Sequence, residues 1–413
     1  MKVSFVFLIA VLTFSCTNNR YVGVAKMKDY YPIQDNNPPE YKIYSNADSM
    51  MLYFRIPAAS ITENLGGQKY KTRLRVELYT DFTKKTLIDS IGFDVISSFK
   101  NVESKQMIEG EVKLDLVDND IRPLVVQLYS NTEKSNLSPR LLYLDSLEND
   151  DSNFMLLDGD NKVIPSNFVT DGGELKLVAG ITEGSDMLLE VFEINRELPR
   201  PPFSSYVPPP HQRKPLDSKV LKIDGGQYKF SCPEQSFIEI SSIDNPEIRT
   251  SVFRFDESYP DVQDVDFLVD ALRYITTEEE YEVIYNSENK KEAIDSFWLS
   301  CAGSKERARK LIKNYYGRVA FSNRYFTSHV PGWKSDRGLI YMIFGPPQSI
   351  FISVNREFWH YGQDGSMDNI SFEFVKAKNP YTDSDFRLIR NEIYKPNWYR
   401  VVSAWRDGRM FYE

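Results

Sequence analysis

Pro331-Gly332-Trp333-Lys334-Ser335-Asp336-Arg337-Gly338 runs into the apolar stretch Leu339 to Phe344 and then into Gly345-Pro346-Pro347. Glycines bracketing a tryptophan and an Asp-Arg pair are the residue types of a tight turn. The apolar run that follows reads as a buried strand, ended by the second glycine-proline turn. In this reading Trp333 plugs a core, Asp336 caps the turn and Arg337 is its ion-pair partner. The chemical alternative is a small acid-base cluster of Asp336, Arg337 and His360, with His329 in the same region. No nucleophile elbow, phosphate-cradling loop, His-x-x-x-His or Glu-x-x-His pair accompanies it. The structural reading is therefore taken, with no catalytic residue, no metal and no cofactor expected.

Upstream of this turn the apolar period is about 3.6. Ala308, Leu311, Ile312, Tyr315, Tyr316, Val319 and Ala320 recur at helical intervals, and Thr276 with Glu279 has capping-box spacing. The other side of the long helix carries Lys305, Arg307, Arg309, Lys310 and Lys313. A solvated face is the simplest account of this stripe; contact with lipid headgroups or an acidic partner is the alternative.

Before residue 255 the period falls to two. Arg73 to Tyr79 places Leu74, Val76 and Leu78 on one face of a strand, and Met107 to Val117 and Leu124 to Tyr129 follow the same pattern. A second set comprises Leu141 to Leu144, Phe154 to Leu157, Leu175 to Val178, Leu188 to Ile194, Val220 to Ile223, Tyr228 to Phe230 and Phe237 to Ile240. Gly172-Gly173 and Gly225-Gly226 punctuate it as turns. Short strands at this spacing predict two antiparallel β-sandwich domains of Ig/fibronectin-like type, at 41–135 and 136–255. A Pro-rich loop over 199–215 is read as a stiff connector, with a recognition loop as the alternative.

Lys2 and the apolar run Val3 to Phe14 have the form of an export leader at 1–15, too short to span a bilayer as a helix. Residues 16–40 read as anchor and spacer, and 256–413 as a C-terminal α+β domain, so the chain as a whole is mainly β. A net charge of -9 supplies no field for nucleic acid, which is excluded as a partner. Three cysteines, Cys16, Cys232 and Cys301, cannot build a disulfide framework. With Cys16 set aside, Cys232 and Cys301 are read as two buried thiols, a disulfide being the alternative in an oxidising compartment.

The turn Gly332-Trp333-Lys334-Ser335-Asp336-Arg337-Gly338 and the following Gly345, Pro346 and Pro347 resemble the signature of the GWxTD domain family, found in exported proteins of Bacteroidota. Ser335 stands where that family usually has threonine, keeping the hydroxyl and losing a methyl contact. Phe297-Trp298, the helix end from Tyr315 to Phe326, Glu357-Phe358-Trp359-His360-Tyr361 and Phe372-Glu373-Phe374-Val375 resemble its flanking pattern. Leu12-Thr13-Phe14-Ser15-Cys16 likewise resembles the looser lipobox of Bacteroidota lipoproteins, which implies acylation of Cys16, palmitate included, and an outer-membrane location on either face. An ordinary secretory signal with an incidental cysteine would share the same leader. The resemblance implies an anchored, non-catalytic subunit or scaffold of a cell-envelope complex, with other outer-membrane proteins as partners in protein assembly or export. A surface module for glycans or peptides is the second reading, which an exposed row of Trp or Tyr would favour. A hydrolase using Asp336, Arg337 and His360 is the third, and needs those groups to converge in a cleft.

Overall fold

The computed structural model describes residues 22–25, 27, 31, 39–46, 49–58, 63–66, 68–80, 84–98, 106–114, 124–130, 140–144, 151–180, 185–194, 197–205, 214–353, 355–362, 369–379, 381–382 and 384–410. The leader, Cys16 and the centre of the Pro-rich loop, 206–213, lie outside these residues.

Alternation in the first third builds two sheets that face each other. One has the order Glu40–Ser45, Met50–Pro57, Met107–Leu114. The other runs Glu63–Gly66, Lys69–Tyr79, Leu124–Ser130, Arg140–Leu144, with Leu87–Ser98 also pairing on Lys69–Tyr79. Leu74, Val76 and Leu78 are fully buried against Leu52, Phe54 and Ile56 of the facing sheet, as their period requires. Arg140–Leu144, grouped by spacing with the later strands, instead pairs antiparallel with Leu124–Ser130 and closes the first pair of sheets.

A second pair follows. Val163–Ile164, Phe154–Leu157, Leu175–Ala179 and Tyr228–Phe230 form one sheet. Phe168–Val169, Arg249–Arg254, Ser236–Ser242, Met187–Glu193 and Asp217–Leu221 form the other. Leu156, Leu177 and Tyr228 pack against Leu189, Ile238 and Ile240 between them. The opposite face of the second sheet is apolar too. Phe192, Phe237, Phe253 and Phe255 join Tyr259 and Tyr381 of the C-terminal part in one buried aromatic group.

The C-terminal part carries helices α1 (Val265–Leu272), α2 (Glu278–Tyr285), α3 (Lys290–Ala302), α4 (Lys305–Phe326), α5 (Asp336–Phe344) and α6 (Lys395–Arg406). They pack on an antiparallel sheet ordered Val22–Ala25, Ser349–Ser353, Arg356–Tyr361, Ile370–Lys376, Phe386–Leu388. The long helix follows its period, burying Ala308, Leu311, Tyr315 and Val319. Lys305, Arg307, Arg309, Lys310 and Lys313 on its other side are exposed.

Three expectations are overturned here. The run Leu339 to Phe344 is not a strand but the body of α5, in which every residue from Arg337 to Phe344 is buried. A helix buried on all sides shows no period, so a short apolar run cannot separate it from a buried strand. The capping box sits one residue later than its spacing suggested: Thr277 accepts from Glu280 N, and the Glu280 carboxylate accepts from Thr277 N. The region read as spacer is partly woven into the C-terminal domain. Val22–Ala25 pairs with residues 350–352 at the sheet edge, and Met27 lies in the C-terminal core. The Tyr31 ring packs on Phe321, Tyr325 and Phe326.

Candidate functional site

The signature turn is built where the end of α4 meets the start of α5. Gly332–Lys334 makes one 3-10 turn, seated directly on α4. A Cβ on Gly332 would overlap the backbone carbonyl of Ser322, and one on Gly338 would overlap the Gly332 carbonyl. Both glycines are therefore fixed by close backbone approach. Asn323, itself fully buried, accepts from Trp333 N at 3.2 Å and donates to Pro260 O at 3.0 Å. Tyr259 accepts from Gly332 N at 3.3 Å and donates to Asn323 O at 3.2 Å, and burial pushes its phenol well up from the ordinary tyrosine value. Trp333 is fully buried, edge-on to Phe267 at 5.1 Å, with its indole N–H unpartnered.

Ser335 is the N-cap of α5. Its hydroxyl oxygen accepts from Gly338 N at 3.0 Å and its hydroxyl donates to Gly332 O at 2.7 Å, so one side chain closes both turn and helix. At the other end Gly345 N donates to Tyr341 O, and Pro346 and Pro347 carry the chain to the next strand. The Arg318 guanidinium donates to the carbonyls of Met342 and Ile343 at 3.3 Å, satisfying groups the helix end leaves open.

Asp336 and Arg337 do not pair with each other. Adjacent positions on a helix diverge, and each side chain finds a partner far along the chain. Asp336 forms a two-pronged ion pair with Arg390 at 2.6 and 2.9 Å and accepts from Leu388 N at 2.8 Å. Arg390 donates in turn to Arg200 O. Arg337 pairs with Glu357 at 2.8 Å, donates to the Ser384 carbonyl and hydroxyl, and lies 4.3 Å over the Phe386 ring. The second Glu357 oxygen accepts from Trp359 Nε1 at 2.9 Å, and Tyr31 donates to the first.

The proposed acid-base trio does not converge. Glu357, Trp359 and Tyr361 are the buried positions of their strand, whereas His360 stands at the intervening position on the opposite face, with Nδ1 2.9 Å from Ser371 Oγ. His329 is held instead by Asn379, at 2.9 Å from Nδ1. Cys232 and Cys301 are free thiols. Burial pushes the Cys232 thiol up to about 11, which leaves it inert at neutral pH. Cys301 is only half-buried. Among the described residues no group of three or more His, Cys, Asp or Glu is placed to hold a metal ion.

The residues that complete this bracket, Tyr259, Asn323, Glu357 and Arg390, were not singled out as site residues from sequence. Glu357 had a signal: it shares strand parity with Trp359 and Tyr361, and a carboxylate at a buried strand position needs a cation. Arg390 had none, since its partner lies 54 positions away. The start of the Pro-rich loop, 199–203, forms a strap: Tyr274 donates to Pro199 O, Asn391 N donates to Pro202 O, and Phe203 packs on Trp398 and Tyr399.

No curated protein matches this chain. Three solved structures show weak likeness. Red sea bream transglutaminase is 7% identical, with TM-score 0.17, over 53% of this chain and 31% of its own. A biofilm-associated protein BSP domain is 12% identical, TM-score 0.16, over 58% and 54%. Salmonella alpha-2-macroglobulin is 9% identical, TM-score 0.18, over 56% and 16%. The chain thus spans about half or less of each of these structures, and none aligns closely enough to transfer a fold or a role. The sequence model of the GWxTD domain matches residues 237–407. That start lies upstream of the expected 256 and takes in the strands of Phe237 and Phe253, whose rings share a core with Tyr259 and Tyr381. The chain carries a GWxTD domain at 237–407.

Proposed function

We propose that this protein is a lipoprotein, acylated at Cys16 and held at the outer membrane, that serves as a non-catalytic subunit or scaffold of a cell-envelope complex for outer-membrane or surface protein assembly. Its two N-terminal units are read as Ig/fibronectin-like sandwiches presenting a contact surface. One observation carries the scaffold reading: the charged residues of the signature are spent on internal brackets. Asp336 and Arg337 each hold a distant segment of the same domain, and His360 faces away from both. A shared aromatic core and the 199–203 strap bind the GWxTD domain to the preceding sheets, which suits a rigid spacer between partners.

Cys16 lies outside the described residues, so its role rests on the sequence. Among those described, no helix is long and apolar enough to cross a membrane. Several acyl chains, each adding about 0.8 kcal/mol per buried CH₂, give durable attachment without one. Cys16→Ala should therefore release the protein from membranes with its melting temperature unchanged. A variant that still sediments with membranes after a salt wash would exclude Cys16 as the anchor. Crosslinked pull-down from membranes should recover outer-membrane proteins with the wild type; recovery of no partner would contradict the subunit role.

No tryptophan contributes to the exposed aromatic row that would favour the glycan reading. Trp298, Trp333, Trp359, Trp398 and Trp405 are all buried, four of them among the largest side chains of the core.

A further inference from the structure

One sheet edge in the middle of the molecule is covered over only part of its length. In the strand Arg249–Arg254, Phe253 N donates to Asn167 O and so points away from Ser236–Ser242, whereas Ile248 O, just before the strand, accepts from Ser242 N. Successive residues of a strand turn their N–H and C=O to opposite sides. Arg249 and Ser251 therefore direct both groups to the same outer edge as Phe253. Phe168–Val169 covers that edge at Phe253 and Arg254. Upstream of Phe168 the chain leaves it, because Val163–Ile164 pairs with Leu156 and Leu157 in the other sheet. From 249 to 251 the outer edge has no strand beside it among the described residues.

This uncovered stretch borders a cleft of about 950 Å³, whose other walls include the turns at 158–160 and 164–175 and residues Arg55 and Arg324. Ser251 lines the cleft, is 4% exposed, and has no hydrogen-bond partner for its Oγ. Its outward N–H and C=O have no backbone partner either among the described residues. Buried donors and acceptors are normally satisfied, so the hydrogen-bonding capacity gathered at this residue points to an added chain.

Charge decides what kind of chain would fit. Asp158, Asp160, Asp171 and Glu174 line the cleft, the last three exposed. The arginines of the lining pair with other carboxylates: Arg55 with Glu40 and Glu109, Arg249 with Glu247, and Arg324 with Asp261. Asp158 and Asp171 accept from backbone N–H groups of their own turns, which holds them in place without cancelling their charge. The turns thus set negative charge beside an open row of backbone donors and acceptors, a field that favours cations. An extended polypeptide matches both features, since its main chain completes the ladder and its alternate side chains reach the flanking walls. We propose that the 249–251 edge receives an extended segment of a partner protein, added as a strand in line with Phe168–Val169, with lysine or arginine side chains against the carboxylates of the 158–174 turns. This binding requires neither the lipid anchor nor a membrane and is tested without them.

The full mature chain carrying Cys16→Ala is titrated with synthetic peptides of about six residues, the length of an ordinary strand, that alternate threonine with lysine. Matched peptides carry glutamate in place of lysine, or N-methyl groups on the backbone that remove the ladder donors. On the protein side, Ser251→Pro deletes an outward N–H that the ladder to Ser236–Ser242 does not use. The pair Asp160→Lys and Glu174→Lys reverses charge at two exposed positions. The lysine peptide should bind, the glutamate and N-methylated peptides about tenfold or more weaker, and both protein variants should weaken the lysine peptide by a similar factor. Where Ser251→Pro lowers the melting temperature, the N-methylated peptides decide the strand question without it. Equal binding of the methylated peptides would show charge attraction without strand addition, and equal binding of the glutamate peptide would show no use of the carboxylates. Either result overturns the proposal, as does no binding of the lysine peptide or undiminished binding to the charge-reversed variant.

Discussion

Two buried charged groups in this molecule are built in opposite ways. At the signature turn both oxygens of Glu357 and both of Asp336 have donors, and the guanidinium of each partner is shared with a backbone carbonyl. On the sheet before it, Glu239 is buried like Glu357, faces Glu190 on one neighbouring strand and Ser251 on the other, and leaves Oε2 unpartnered. Arg249 lowers its carboxyl pKa, but burial dominates and pushes it up to about 7. Every carboxylate oxygen of the signature cluster is satisfied, and only the Nε of Arg337 and of Arg390 is left without a partner. At Glu239 the carboxylate itself is left short, and Ser251 Oγ across the strand also lacks a partner. A buried carboxylate whose oxygens all have donors is held ionised by its surroundings, whereas one left short of donors is driven towards its protonated form.

The comparison is broken most forcefully at Trp333. If the signature is a packed bracket, Trp333→Ala should cost about 3–5 kcal/mol, the usual loss on emptying a buried aromatic site. Urea unfolding measures it; a variant of wild-type stability that fails to recover partners would turn the tryptophan into a contact residue.

Glu239 should give a smaller effect of the opposite sign. Burial pushes its native pKa up to about 7, above the ordinary glutamate value, so the native state binds the proton more tightly than the unfolded chain. The stabilisation is complete below the unfolded value and is lost as pH rises through about 7. Glu239→Gln should flatten this slope and stabilise the protein by roughly 2–3 kcal/mol at pH 8. Unfolding profiles from pH 5 to 8 that coincide for the two proteins would show that Glu239 is not a strained carboxylate.

Legibility in the sequence tracks how local the deciding physics is. Leu74, Val76 and Leu78 announce their strand, and Ala308 to Val319 their helix, because an amphipathic face repeats with the period of its own element. Trp333 as a core plug was likewise readable from residue type and turn context, whereas the cap expected of Asp336 falls to Ser335, because Asp336 is drawn to Arg390 and Leu388 N. The α5 helix was not, since burial all round erased the period that would have named it. Nor was the pairing of Val22–Ala25 with residues 350–352, or the choice of Arg390 by Asp336, because both depend on chain segments brought together only by the fold.

The central claim, that the signature's charges hold the domain together, is tested most directly by a double-mutant cycle on Arg337 and Glu357. Arg337→Met and Glu357→Leu should each destabilise by about 3–5 kcal/mol, because each strands a buried charge. The double variant should recover much of that loss, giving a coupling of at least about 2 kcal/mol in urea unfolding. Single variants that unfold like the wild type yet lose their membrane partners in pull-down would contradict the account and make Arg337 and Glu357 part of a functional site.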